Sequence, residues 1–133
     1  MSESPAPMSL AERIEAIEQA YELMLAYAAQ GRRDDDGADS SIRQFMRRAS
    51  TAMDGLTACL GESAGAQVDS YADFLPVLDQ DARAAGAAFR LVLARRAVSS
   101  QLIDNLNASI HVRALLTDVF LIDEALKSDR GDA

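Results

Sequence analysis

The sequence predicts an all-α protein, an antiparallel four-helix bundle whose third and fourth helices are open to a kink or a break. Three observations predict it. Aromatic residues make up 5% of the chain, tryptophan is absent and alanine is abundant. That balance favours helices, because alanine is the best helix former and strands draw on β-branched and aromatic side chains. Four long segments space their apolar residues by three and four, and none shows the alternation of a strand. The stretches between them are short and polar, suited to joining antiparallel neighbours. A length of 133 residues fits one domain. It is placed at 9–128, between tails at 1–8 and 129–133 that are expected to be disordered.

The first helix opens at Ser9, with Glu12 three residues on as in a capping box. Leu10, Ile14, Ile17, Tyr21, Met24 and Ala28 form its apolar stripe, Glu12, Glu15, Glu18 and Glu22 its acidic outer face, and Gly31 its end. "RRDDDGADS" reads as an exposed loop. The second helix then starts after Asp39–Ser41 and runs to Gly61, with a broad stripe from Ile42 through Phe45, Met46 and Met53 to Leu60. "GESAGAQVDS" is the second loop. A third helix follows Ser70, with Pro76 either kinking it or starting it afresh. Its stripe is Leu78, Ala82, Ala85, Phe89 and Val92, and the small residues of "AAGAA" (84–88) allow close approach of another helix.

Ser99 and Ser100 cap the last segment, 101–127. Wound as one helix, Leu102, Ile103, Leu106 and Ile110 lie on one side, whereas Val112, Leu115, Leu116, Val119, Phe120, Ile122 and Leu126 lie on another. Leu121 falls outside both arcs. Asp118 and Glu124 sit off the second arc, and Asp123 near its middle, where a carboxylate should sit at a rim or face a cationic partner, such as an arginine of another helix or chain. A single straight helix in a monomeric bundle has one stripe. So either the helix breaks near Ser109–His111, or it is central and covered on all sides, or half of it contacts a second chain.

Composition and motifs exclude more functions than they suggest. A net charge of −8 and a pI near 4.5 disfavour nucleic acid and anionic membranes. The arginine pairs Arg32–Arg33, Arg47–Arg48 and Arg95–Arg96 are read as partners of acidic segments. Only Lys127 among the basic residues is lysine, a bias that suggests a GC-rich bacterial genome. No signal peptide or membrane span is read, so the expected location is cytoplasmic. "DDDGADSSIR" fails as a calcium loop, because Arg32 and Arg43 take the first and twelfth ligand positions. One histidine cannot supply a di-iron bundle. His111 lacks the lysine and glycine that typically follow a phosphotransfer histidine, since Ala114 and Leu115 stand there. At an interface, its protonation would make assembly pH-sensitive. Cys59 is expected to be buried and inert, and the Asn107 sequon carries no weight inside a helix.

No catalytic site, cofactor or metal is therefore expected. The leading expectation is a non-enzymatic adaptor, assembly chaperone or regulator acting through protein–protein contact. Its contact residues are Val112, Leu115, Leu116, Val119, Phe120, Leu121, Ile122 and Leu126 of the last helix, and a homodimer is the simplest assembly. The alternative is a small-molecule-binding bundle with a cavity lined by Met53, Phe89 and Phe120. An enzyme using Asp79 and Asp81 ranks last, because two positions two apart on a helix point in different directions.

Overall fold

A computed structural model describes residues 7–64 and 68–131. Most of the expected N-terminal tail (1–6), part of the second loop (65–67) and the last two residues lie outside them. All regular structure among the described residues is helical. It comprises α1 (Leu10–Ala28), α2 (Ser41–Met53), α3 (Leu56–Ala64), α4 (Val68–Ala72), α5 (Leu75–Leu93), α6 (Ser100–Ala108) and α7 (Ile110–Asp129). α4 is a five-residue turn, which leaves six longer helices. The all-α expectation holds, but four uninterrupted helices do not form.

Each interruption has a local cause. The second segment stops at Asp54 and restarts at Leu56, because Gly55 adopts a left-handed φ of 79° that ends a helix at little cost to glycine. α3 then runs through Gly61, the expected stop. The third segment divides before α5, whose first turn holds Pro76, where a missing N–H costs nothing. The last divides at Ser109. Its backbone is extended (ψ 133°), closing α6 and opening α7, and its hydroxyl accepts from the His111 N–H at 3.2 Å. The first helix is as expected: Ser9 and Glu12 close a reciprocal capping box at 3.0 and 3.1 Å.

α1 packs on α2, where the Arg13 guanidinium donates to the carbonyls of Ala52 and Asp54 and so supplies the carboxyl end of α2 with donors. α1 also packs on α6, and Tyr27 fastens that contact by donating to the Val98 carbonyl. α5 packs on α2 and α7, and at its amino end Tyr71 donates to Asp129 at 2.6 Å. Met24, Met46, Leu60, Leu78, Ile103 and Leu115 lie at the centre of one shared core.

The loop after α1 departs from its polar appearance. Asp35 is buried and accepts from Arg43 Nε at 2.6 Å, from the Ser40 hydroxyl at 2.7 Å and from the Val98 N–H at 3.1 Å. Arg43 spends its remaining donors on the carbonyls of Leu93, Arg95 and Arg96. A buried charge pair survives only when its other lone pairs and protons are satisfied. Here they are, so the loop is fixed to the α5–α6 connection.

Candidate functional site

The break at Ser109 decides which of the expected contact residues are available. α7 starts afresh and rotates its stripe inward, so Val112, Leu115, Leu116, Val119 and Ile122 are buried in the chain's own core. In the single chain their cover is intramolecular. Leu126 is half-buried beside Leu10 and Ile14. Of the eight residues, Phe120 and Leu121 alone are exposed, at 48% and 57%. They sit about 100° apart on the helix, Phe120 on the edge away from α5 and Leu121 on the edge beside it.

Ile110 changes sides for the same reason. On a continuous helix it shares a face with Leu106, but after the break it stands 75% exposed in the first turn of α7. On α5, Val77 and Leu91 are exposed as well, two turns either side of Ala84 and off the buried stripe of Leu78, Ala82, Ala85, Phe89 and Val92. Ala84, Ala88 and Ala114 are half-buried between the two helices. Four large exposed side chains therefore border a floor of alanines along the outer α5–α7 seam. Sequence reasoning found Leu121 but missed Val77 and Leu91. Their spacing of two heptads was visible, but nothing in the sequence said that the stripe next to it would be left uncovered.

The polar residues also sort themselves. Asp118, although off the apolar arc, is buried, and its Oδ2 has no hydrogen-bond partner. It faces Asp81 of α5. Burial raises its pKa most, followed by the hydrogen bond and the charge of Asp81. Two ionised carboxylates have only acceptors, so the contact is a hydrogen bond when one proton is shared. Asp123, in the position that called for a cation, pairs with Lys127 at 3.2 Å. Asp79 pairs with Arg83 at 2.8 Å, so Asp79 and Asp81 diverge as expected. His111 is exposed in the first turn of α7 and Cys59 is half-buried on α3. Both amide atoms of Asn107 are buried without partners.

Phe89 and Met53 are core residues, and Phe120 lies on the surface, so these three do not line a common cavity. The cleft that Met53 does border, about 370 Å³, is walled by Asp54, Thr57, Asp79, Arg83 and Arg90. Among the described residues no group of three or more His, Cys, Asp or Glu side chains is placed to hold a metal. Nor is any described helix long and apolar enough to cross a membrane. No protein-family model, no curated protein and no solved structure matches the chain.

Proposed function

We propose that this chain is a non-enzymatic interaction protein that works by presenting an apolar helical surface to another polypeptide, its own copy first among them. In this reading the seven helices form a broken antiparallel four-helix bundle, with α2–α3, α4–α5 and α6–α7 each acting as one interrupted rod. Roles as an adaptor, assembly chaperone or regulator and a cytoplasmic location are consistent with it. The observation that carries the reading is the exposure of Val77, Leu91, Ile110 and Leu121 on α5 and α7. Contiguous apolar surface marks an interaction site more often than scattered single residues do. The ligand-binding alternative has less support, because the residues expected to line its cavity are distributed between core and surface.

Size-exclusion chromatography with light scattering, run beside an apolar-surface dye titration, tests the reading. An associated species, or a monomer that binds dye, is expected. A monomer that binds no dye would overturn it.

A further inference from the structure

We infer that the outer α5–α7 seam binds a second copy of this chain, packed antiparallel about a two-fold axis through Ala84 and Ala114. This rests on the interaction reading above and specifies both its face and its occupant.

The shape of the seam is self-complementary. α5 and α7 run antiparallel, so Val77 and Leu121 share one end of the seam, and Leu91 and Ile110 share the other. The small side chain of Ala84 lies halfway between Val77 and Leu91, and that of Ala114 lies between Ile110 and Leu121. A two-fold axis there sets the Leu91–Ile110 end of each copy on the Val77–Leu121 end of the other, with the alanines letting the backbones approach. A depression of about 380 Å³ beside Ile110, bordered by Ala108, Arg113, Ala114 and Thr117, gives the opposing Leu121 a place to enter.

Charge selects this occupant and this direction. The exposed Asp73 carboxylate lies one turn before Val77, and the exposed Arg95 guanidinium one turn after Leu91, where its Nε donates to the Leu91 carbonyl at 3.0 Å. The antiparallel arrangement places Arg95 of each copy against Asp73 of the other, since both stand eleven residues from Ala84. The parallel arrangement would set like charges together at both ends. A chain carrying −8 gains most from such local pairing, because its overall field opposes self-association.

Sedimentation equilibrium on the full chain tests the inference. Wild type is expected to dimerise. Leu91→Asp and Leu121→Asp place a carboxylate in the interface, and each should weaken the dimer by about 100-fold. Both sites are on the surface, and unchanged circular dichroism shows that the fold persists. Phe120→Asp lies on the other edge of α7 and should change the dissociation constant by less than about 3-fold. Arg95→Asp and Asp73→Arg should each weaken association by about 3- to 10-fold, and the double exchange should restore it. The two positions lie beyond opposite ends of α5, too far apart for the rescue to arise within one chain.

A dimer insensitive to Leu91→Asp and Leu121→Asp overturns the seam and leaves the interaction reading standing. Failure of the double exchange to restore association overturns the antiparallel arrangement. A chain that stays monomeric at about 0.1 mM but binds the dye also overturns the inference alone. A monomer without dye binding overturns both.

Discussion

Asp118 and Asp35 are both buried carboxylates, and they respond to pH in opposite directions. For Asp35, burial pushes the pKa up, but hydrogen bonds from Arg43, Ser40 and the Val98 N–H together outweigh it. Its carboxyl stays far below the ordinary range, so its contribution is present above the unfolded value of 3.8 and is lost as pH falls. For Asp118, burial and Asp81 act together, pushing the pKa up from 3.8 to about 7. Between those values the folded chain holds a proton that the unfolded chain has released. Stability from this site is therefore complete below 3.8 and drains away as pH rises through 7. Asp118→Asn keeps the shape, supplies a permanent donor toward Asp81 and removes the titration. It should flatten the stability profile between pH 4 and 7. At pH 8 it should melt roughly 3–5 °C above wild type, from about 1 kcal/mol of relieved desolvation and repulsion. Thermal denaturation of both proteins across pH 4–8 measures this, and parallel profiles would count against the shared proton.

At the scale of elements, the interruptions set the surface of the molecule more than the helices do. Ser109 ends one helix and caps the next, so the apolar arc of α7 is free to turn away from that of α6. Ser109→Ala removes the hydroxyl that accepts from His111 and should cost about 1 kcal/mol in urea denaturation. A loss under about 0.3 kcal/mol would mean that the cap is idle. This break was legible in the sequence as two apolar arcs that no straight helix could serve. The break at Gly55 was not, because Ile42 to Leu60 keep their spacing across it and the stripe hides the turn that Asp54–Gly55 would otherwise announce. The contact of Asp81 with Asp118 was invisible for a different reason. Periodicity places a residue on a face of its own helix, whereas which faces meet depends on how α5 and α7 cross. The same limit explains the site. Leu121 stood out as the residue outside both arcs, but Val77 and Leu91 became surface residues only when no neighbour packed on that side of α5.

For the whole molecule, the net charge and the core describe a chain that resists aggregation while leaving one side uncovered. The strongest fastening lies on the loop after α1, which its composition presents as the softest part of the chain. Asp35 is anchored under Arg43, and Arg32 is tied on both sides to Ser100, its N–H donating to the hydroxyl and its carbonyl accepting from the N–H, each at 2.8 Å. A protease must draw several residues into an extended strand, and Arg32–Arg33 cannot be drawn out while those bonds hold. Trypsin should therefore cut there only as fast as the fold opens, so that cleavage follows global stability when denaturant is varied. Rapid nicking under native conditions would show the fastening to be loose. Where a polar loop in most proteins is the first place to be clipped, here it should be among the last.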